Sequence, residues 1–347
     1  MGATSPGGFK GYFELLQKPQ DGGRLLLIKA GPGCGKSTLM NKIADALSQQ
    51  GETVELIHCS SDPGSLDGVI CTNKKFAIID ATAPHTVEPK WPGAYEEVVS
   101  LYDFSDRKKL AAHRDRICEL FDACAQLHER AGRYITAAGS LNYDTFRLAA
   151  FHTDFEKARA YGRHLAAKHL PPKEGKGREA VRMLTAMTLD GPLAYRETVS
   201  AAAEQIVILE DEYGPAAKEV LKTLREEALS RGYSVITCYC AMYPHDKIDH
   251  LIIPEASFAA VTSNHYHPFV YEGVRRVHCD RFCDKKALAL RRKRMRFNLR
   301  AATELIDQAS VMQQEAKKHH DELEHYYKNA LDLQKLDQVA EEIIATL

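Results

Sequence analysis

One segment near the start of the chain combines glycines, a lysine and hydroxyl groups in the arrangement that phosphate binding requires. It follows the apolar run at residues 25–28 and opens an amphipathic helical pattern near Lys36. Glycines let backbone N–H groups turn inward around phosphate oxygens, and the helix N-terminus adds positive potential. The segment therefore predicts a Walker A loop, whose expected nucleotide-binding residues are Gly31, Pro32, Gly33, Cys34, Gly35, Lys36, Ser37 and Thr38.

The side chains at the end of this loop suit a magnesium nucleotide. We expect Lys36 to reach the β- and γ-phosphates, Ser37 to ligate Mg²⁺ and Thr38 to support the α-phosphate side. Ala30 stands where the strict pattern has its first glycine. The alternative is a glycine-rich turn without a ligand, but the strand and helix patterns on either side favour the nucleotide site.

A carboxylate for the metal is expected near the end of a neighbouring strand. Asp80 closes the apolar run at residues 76–79, which reads as such a strand. We assign Asp80 as the Walker B aspartate, so that Ser37 and Asp80 together hold Mg²⁺. The alternative is that Asp80 caps the following turn, as aspartates after strands commonly do.

Three further polar residues lie near the ends of predicted strands. Asp62 follows the second strand and is a candidate to orient the attacking water or the water shell of the metal; the alternative is a polar turn before Pro63. Asp67 is a weaker candidate for the same role. His85 could sense the γ-phosphate, or it could be a loop histidine held by packing.

ATP is the expected nucleotide. Guanine-specific sites carry an Asn-Lys-x-Asp signature, and the nearest segment, residues 73–76, fails at its last position with Phe76. The predicted cofactors are therefore ATP and Mg²⁺. Ala81 directly follows Asp80, so the catalytic glutamate of a strong ATPase is missing there, and we expect hydrolysis to be slow.

The chain also contains an internal repeat. With a shift of about 181 residues, residues 26–51 and 206–232 each contain an apolar run, a loop, a helical pattern and a closing glycine. Matched positions continue beyond this stretch: Cys59 and Cys240, Pro63 and Pro244, Asp67 and Asp249, Ile70 and Ile252, His85 and His267. Chance similarity between two α/β segments is the alternative, and the matched prolines, glycines and histidines favour duplication.

The second copy has lost the residues that would bind phosphate. In this register Gly35, Lys36, Ser37 and Asp80 correspond to Ala216, Ala217, Lys218 and Thr262. Glu210, Asp211 and Glu212 bring negative charge to the same place, which would repel a nucleotide. We therefore expect one functional site, in the N-terminal half.

These patterns predict an α/β fold of the P-loop NTPase type, with a parallel sheet and helical insertions, duplicated and degenerate in its second copy. The active domain is expected at residues 1–172, with its helical insertion at about 103–170. The degenerate domain is expected at residues 173–347, with a helical segment from Cys283 onward. Residues 171–178 are rich in proline, glycine and charge, which is typical of an exposed connector.

The composition is that of a globular protein whose positive and negative charges nearly balance. Of 347 residues 44% are hydrophobic and 27% charged, and the formal net charge of -1 does not favour nucleic acid or a membrane surface as a partner. No signal peptide and no run of eighteen apolar residues is found in the sequence. We expect a cytoplasmic protein with no membrane partner, its nine cysteines present as free thiols.

Four segments carry a resemblance to a known family. They are Gly-Pro-Gly-Cys-Gly-Lys-Ser-Thr at residues 31–38, His-Cys-Ser-Ser-Asp-Pro-Gly-Ser-Leu-Asp at 58–67, Asp-Ala-Thr-Ala-Pro-His at 80–85 and Pro-Lys-Trp-Pro-Gly at 89–93. The chain resembles an uncharacterised bacterial family of tandem P-loop ATPases over nearly its whole length. The resemblance implies two P-loop halves, each with a helical insertion. In that family the second half commonly retains its own phosphate loop, from which this sequence departs.

Weaker patterns favour structural interpretations. The basic run at residues 291–294, with Arg296 and Arg300, is more typical of a solvated helix face than of a nucleic-acid surface, since no aromatic stacking set accompanies it. A zinc site among Cys238, Cys240, His265, His267, His278, Cys279 and Cys283 lacks paired Cys-x₂-Cys spacing. Arginines of the first helical segment could act as arginine fingers or pair with neighbouring acids: Arg114, Arg116, Arg130 and Arg133.

Three functions fit the sequence. The first is a Mg²⁺-dependent ATPase in which Lys36, Asp80 and Asp62 carry the chemistry. The second is a kinase acting on a small molecule or nucleotide. The third is a nucleotide-sensing interaction protein with little turnover, whose protein or small-molecule partner the sequence does not identify. Single-turnover assays with Lys36→Ala as control distinguish the three.

Overall fold

The computed structural model describes residues 1–18 and 22–347. The chain forms two compact units, each built from separate stretches of sequence. Unit 1 comprises Met1–Gly2, Gly11–Ala131 and Val311–Leu347, and unit 2 comprises Ala3–Lys10 and Gly132–Ser310. Both contain helices and a sheet with parallel strand pairs, which confirms the mixed α/β class.

Unit 1 is organised around a five-stranded sheet with one helix after its first strand in sequence. Along the chain a 3₁₀ helix (Phe13–Gln17) precedes this sheet, and so does a two-stranded sheet of β1 (Gly2–Ser5) and β2 (Gly8–Gly11), most of which belongs to unit 2. The elements are β3 (Arg24–Lys29), α1 (Lys36–Gln49), β4 (Glu55–His58), β5 (Leu66–Cys71), β6 (Phe76–Asp80) and β7 (Glu96–Ser100). The strand order is β4-β5-β6-β3-β7, and β3 runs parallel to both β6 and β7.

The sheet is mixed rather than wholly parallel, because β5 runs antiparallel to β4 and to β6. The sequence patterns did not predict β5 as a strand. All six of its residues are buried, so the alternation of apolar and polar residues that marks a half-buried strand is missing, and Asp67 and Gly68 interrupt the apolar run.

The predicted first helical segment is helical. It contains a 3₁₀ turn (Tyr102–Phe104), α2 (Arg107–Ala112), α3 (Arg114–Phe151) and α4 (Phe155–His169). Residues 171–178, the predicted connector, form neither helix nor strand. The first part of α3 belongs to unit 1, and its remainder and α4 belong to unit 2.

Unit 2 contains a six-stranded sheet of similar design. Its elements are β8 (Glu179–Arg182), β9 (Thr185–Thr188), β10 (Gly191–Ala194), α5 (Arg196–Ala202), β11 (Gln205–Glu210), α6 (Pro215–Ser230), β12 (Val235–Cys240), β13 (Tyr243–Ile253), β14 (Phe258–Ser263) and β15 (Arg275–His278), with 3₁₀ turns at Pro254–Ala256 and Cys279–Phe282. The strand order is β15-β11-β14-β13-β12-β8, while β9 pairs with β10. As in unit 1, the strand before the helix runs parallel to both neighbours, and β13 runs antiparallel to β12 and β14.

The chain ends in two helices, α7 (Lys285–Ala330) and α8 (Leu333–Ala345). Within unit 1, α8 packs against α1 and buries Leu336, Ala340 and Ile343 in the core beside β3. Within unit 2, α4 packs against α6 in the same manner. Asp154 and Asp332 are the N-cap residues of α4 and α8 and accept bonds from backbone N–H groups of the first turn.

The predicted domain boundary between residues 172 and 173 separates the two halves of the sequence repeat. The two compact units divide the chain differently and do not test this boundary, which stays a prediction. None of the helices in residues 1–18 and 22–347 combines the length and apolar character that crossing a membrane requires.

Candidate functional site

The glycine-rich loop, residues 30–38, joins β3 to α1 in unit 1. Gly33 and Gly35 adopt left-handed backbone conformations, with φ of 65° and 82°. Side-chain-bearing residues avoid this region, so glycine is required at both positions. Gly35 is the N-cap of α1, and the free N–H groups of the first helical turn therefore point toward the loop.

Lys36 folds back over this loop. Its ammonium donates to the Gly31 carbonyl at 2.8 Å and to that of Ala30 at 3.4 Å. The same Nζ lies 3.6 Å from Asp80 Oδ2. Two residues separated by 44 positions are thus brought together because β3 and β6 are adjacent parallel strands, with Ile28 opposite Asp80.

Asp80 caps the turn after β6, which is one of its two sequence interpretations. Its Oδ1 accepts the Thr82 N–H at 2.9 Å and also the Thr82 hydroxyl. Its Oδ2 faces Lys36. One oxygen therefore has a structural role, and the other faces the glycine-rich loop; its assignment as a metal ligand stays a prediction.

The hydroxyl predicted to bind Mg²⁺ is tied to the neighbouring strand. Ser37 Oγ accepts the backbone N–H of Leu66 at 3.1 Å, and Asn41 Nδ2 lies 3.5 Å away. Thr38 is exposed, whereas Cys34 is buried in the core of unit 1. The eight loop residues expected to contact the nucleotide thus surround one short turn, although they differ in exposure.

The end of α7 and the start of α8 lie directly on this loop. A β-carbon added to Gly31 would come within 2.7 Å of Tyr327 Cε1, and one on Gly33 within 2.9 Å of the Glu324 carbonyl oxygen. The close approach of these helices gives the glycines a second reason to lack side chains. The sequence patterns did not indicate this contact, because nothing in a 46-residue helix shows which turn meets the loop.

Asp62 contacts a residue that the sequence patterns did not single out. Lys317 of α7 places its Nζ 3.5 Å from Asp62 Oδ2 and pairs also with Asp321. Asp62 Oδ1 lies 3.3 Å from the Gly64 N–H, as expected for a polar turn. Asp62 is therefore held by a turn and by a lysine of the C-terminal helix.

Asp67 and His85 form a buried pair. His85 Nε2 lies 3.1 Å from Asp67 Oδ2, and the Phe13 ring packs at 5.2 Å from the imidazole. Cys59 lies close to both residues. Burial, reinforced by the Asp67 charge, raises the pKa of the Cys59 thiol to about 12, so this thiol is protonated and unreactive at neutral pH.

In unit 2 the loop between β11 and α6 surrounds a carboxylate of the protein itself, that of Asp211. Gly214 is left-handed like Gly35. Asp211 Oδ1 accepts the Gly214 N–H at 2.8 Å, and its Oδ2 accepts the Ala217 N–H at 2.8 Å. The carboxylate therefore takes the backbone donors at the start of α6, where a helix terminus attracts negative charge.

The start of α6 also refines the comparison of the two halves. Matching the left-handed glycines that begin α1 and α6 sets Lys36 opposite Pro215 and Ser37 opposite Ala216. Thr262 still stands where Asp80 stands in β6. Neither register places a lysine opposite Lys36, a hydroxyl opposite Ser37 or a carboxylate opposite Asp80.

A lysine from another strand occupies the region beside this second loop. Lys247 of β13 lies so close to Gly214 that an added β-carbon would meet its Cε at 2.5 Å. Its Nζ is 2.7 Å from Asp249 Oδ1. Burial alone would raise the pKa of the Asp249 carboxyl, yet the Lys247 charge holds it well below its ordinary value. Lys218, one position late in the sequence register, pairs with Asp246 instead.

Two arginines from the weaker sequence patterns pair with acidic side chains. Arg116 forms a bidentate pair with Glu322 of α7 within unit 1, which is the acid-paired alternative. Arg294 of the basic run pairs with Asp144. Among the described residues, three groups of side chains have metal-ligand atoms close together: Cys59–Asp67–His85, Asp249–His250–His267 and His320–Asp321–Glu324. None of them contains a cysteine of the zinc site considered from the sequence.

Comparison with known proteins places a similarity at the start of the chain. Residues 10–71 match the family model described as Nephrocystin 3, N-terminal. The matched segment includes β3, the glycine-rich loop, α1, β4 and β5. Neither the curated proteins nor the solved structures yielded a match to this chain. The resemblance to tandem P-loop ATPases gains no support here and stays a prediction.

Proposed function

We propose that unit 1 binds ATP·Mg²⁺ at the glycine-rich loop and hydrolyses it slowly. The observation that carries the proposal is the 3.6 Å separation of Lys36 Nζ and Asp80 Oδ2 beside the N-terminus of α1. A triphosphate needs cationic and N–H donors, and its metal needs a carboxylate and a hydroxyl. Lys36, the first turn of α1, Asp80 and Ser37 supply these groups within one short region.

Each residue would have a definite task. Lys36 would exchange its bonds to loop carbonyls for the β- and γ-phosphates. Ser37 and Asp80 Oδ2 would hold Mg²⁺, since oxygen ligands suit this ion. Asp62 would orient the water, with Lys317 beside it as a positive charge near the γ-phosphate.

The fold and its evolution form part of the same proposal. The two units share the order of their strands, the directions of those strands and a left-handed glycine at the start of α1 and of α6. These similarities support a duplicated P-loop NTPase fold with tandem halves. In the second half, Asp211 takes the donors that a phosphate would need, and this supports a degenerate, nucleotide-free copy.

A nucleotide-sensing role is the second candidate, and one contact favours it. Tyr327 and Glu324 of α7 lie against Gly31 and Gly33, so a bound triphosphate would act directly on this helix. Binding that alters a helix contact can signal without rapid turnover. A kinase activity is the remaining alternative and is decided by the same experiment.

Calorimetry with ATP and Mg²⁺ tests the binding. Lys36→Ala is expected to weaken binding by at least about tenfold, or 1.4 kcal/mol. The matched control is Lys42→Ala on the same helix, whose Nζ pairs with Asp337 of α8. Its affinity should stay within about twofold of the original. Equal ATP binding by Lys36→Ala, with the fold intact by circular dichroism, contradicts the proposed site.

Single-turnover measurements then separate the functions. ADP and phosphate formed without any acceptor indicate the ATPase. A phosphorylated product that forms when a metabolite mixture is added indicates the kinase. Tight binding without product indicates the sensor.

A further inference from the structure

A cluster of possible metal ligands lies inside unit 2. Asp249 and His250 are consecutive residues of β13, and His267 lies in the loop after β14. Asp249 and His250 have no exposed surface, and His267 is 6% exposed. One ligand atom from each lies within 4.8 Å of the others. Nothing in the proposed nucleotide chemistry of unit 1 uses these residues.

The contacts of His267 select the tautomer that a metal ligand needs. Its Nδ1 lies 3.1 Å from the Thr262 carbonyl oxygen, which can accept but not donate. Asn264 Oδ1 accepts two backbone N–H groups, so its Nδ2 is the atom that donates to His267 Nε2 at 3.1 Å. Nδ1 therefore carries the proton, and the lone pair of Nε2 accepts the Asn264 amide; a metal bound at Nε2 would replace this hydrogen bond. A ring oriented by a backbone carbonyl is the usual arrangement for a metal-binding histidine.

His267 Nε2 lies close to a second possible ligand atom. It is 3.5 Å from Asp249 Oδ2, and a cation placed between the two atoms would bind both. Two ligand atoms each about 2.0–2.2 Å from one zinc ion are separated by a similar distance in tetrahedral geometry.

His250 supplies an independent observation. Within the described chain neither of its ring nitrogens has a hydrogen-bond partner, and its side chain is wholly buried. Its ring lies 5.3 Å from that of His267, centroid to centroid. Buried polar atoms are nearly always satisfied, and a site for an ion is one cause when no protein group satisfies them. A metal would satisfy one nitrogen of His250.

The surrounding charges accommodate a divalent ion. Lys247 neutralises Asp249 through Oδ1 and leaves Oδ2 directed toward His267. Two more carboxylates lie on this side of unit 2, Asp211 at the start of α6 and Glu212 on the wall of the cavity. The cavity has a volume of about 60 Å³, and Asp249, His267 and Lys247 also line it. It can hold a water beside the ion.

We propose that unit 2 binds one zinc-like divalent transition-metal ion through Asp249 Oδ2, His267 Nε2 and a ring nitrogen of His250, with a water from the cavity as fourth ligand. Two imidazoles and one carboxylate are ligands that zinc accepts readily. The site goes beyond the proposed nucleotide binding. It would link β13 to the loop after β14 in the half whose phosphate loop is occupied by Asp211.

Unit 1 provides an internal comparison. Asp67 and His85 correspond to Asp249 and His267, but Gly68 stands where His250 stands. Its third neighbour is the thiol of Cys59. A metal held there would have a thiolate ligand, which is spectroscopically distinct from a site with two imidazoles and a carboxylate.

The test uses the full chain without an affinity tag, freed of metal by chelation and titrated with Zn²⁺ and with Co²⁺. We expect one tight equivalent of either ion and a Co²⁺ spectrum without a thiolate charge-transfer band. His267→Gln and His250→Gln should each weaken the affinity on the order of tenfold or more. The matched controls Cys59→Ser and His85→Gln should retain the equivalent, as should His320→Gln in the partly exposed cluster of His320, Asp321 and Glu324.

Three outcomes overturn the proposal. They are no binding beyond that of the weak surface groups, loss of the equivalent in Cys59→Ser, and a thiolate band in the wild-type spectrum. The wild-type stoichiometry and spectrum decide the matter even when a buried histidine variant fails to fold. Because Lys36→Ala leaves unit 2 untouched, metal binding that persists in this variant separates the metal site from the nucleotide proposal.

Discussion

The side chain of Leu336 lies against Gly35, so closely that a β-carbon on the glycine would come within 2.4 Å of Leu336 Cδ2. Gly35 is left-handed and begins α1, while Leu336 belongs to α8 and is 1% exposed. The residue that permits the turn of the glycine-rich loop is also a packing surface for a helix about 300 positions later. The turn of the loop and the position of α8 therefore constrain each other within unit 1.

Removing this contact should destabilise the protein. Leu336→Ala deletes a buried side chain and leaves a cavity, which costs about 2–5 kcal/mol. Leu333→Ala on the same helix is the control, because Leu333 is 63% exposed and its loss should cost less than about 0.5 kcal/mol. Urea unfolding measures both. Similar values for the two variants would contradict the packing of α8 on the loop.

A side chain at Gly31 should collide with Tyr327. The methyl group of Gly31→Ala would lie 2.7 Å from the Tyr327 ring, and we expect a loss of about 1–3 kcal/mol from overpacking. Tyr327→Ala removes the obstacle, so the double variant should lose less than the sum of the single variants. A double-mutant cycle from unfolding curves gives the coupling energy. Strict additivity would show that the ring does not restrict position 31.

Asp80→Asn should separate the two roles of this residue. The amide oxygen can still accept the Thr82 N–H, so the turn after β6 should persist. The lost charge should weaken ATP binding in Mg²⁺ by at least about tenfold, or 1.4 kcal/mol, with little change when EDTA removes the metal. Calorimetry under both conditions checks this. An equal loss in both would assign Asp80 to structure rather than to the metal.

Asp211→Ala should destabilise unit 2 without creating a nucleotide site. The substitution leaves the N–H groups of Gly214 and Ala217 without their acceptor, at a cost of about 1–3 kcal/mol. Pro215 and Ala216 supply neither lysine nor hydroxyl, so ATP should still not bind there. The measurement is ATP calorimetry in the Lys36→Ala background. Binding gained on removal of Asp211 would show that the second loop is a masked site rather than a degenerate one.

The cysteines should differ sharply in reactivity. The pKa of Cys59 is raised to about 12, so about one thiol in ten thousand is ionised at pH 8, and its thiolate fraction grows only as the pH rises toward that value. Cys118 is exposed on α3. Iodoacetamide at pH 8 followed by peptide mass spectrometry should modify Cys118 long before Cys59. Preferential labelling of Cys59 would contradict the raised pKa of its thiol.

Some of the fold could be predicted from local sequence patterns, and some could not. The run at residues 25–28, the loop and α1 are determined by neighbouring residues, because apolar runs, glycines and helical periodicity act over short stretches. β5 escaped prediction because burial on both faces removes the alternation that marks a strand. From the sequence, the acids at residues 210–212 are expected to repel phosphate. Asp211 is instead bound by backbone N–H groups, which depends on a turn that charge counting does not describe.

By itself, the sequence determined the groups that adjacent residues bring together: a glycine-rich loop between a strand and a helix, a strand ending in Asp80, and a second strand, loop and helix without the lysine and the hydroxyl. Only the tertiary structure decided which distant residues meet these groups. Lys317 beside Asp62, Tyr327 on Gly31 and the cluster of Asp249, His250 and His267 all depend on how helices and strands pack. The sequence of a helix does not indicate which of its turns contacts a loop, because helical periodicity shows which residues share a face but not what that face packs against.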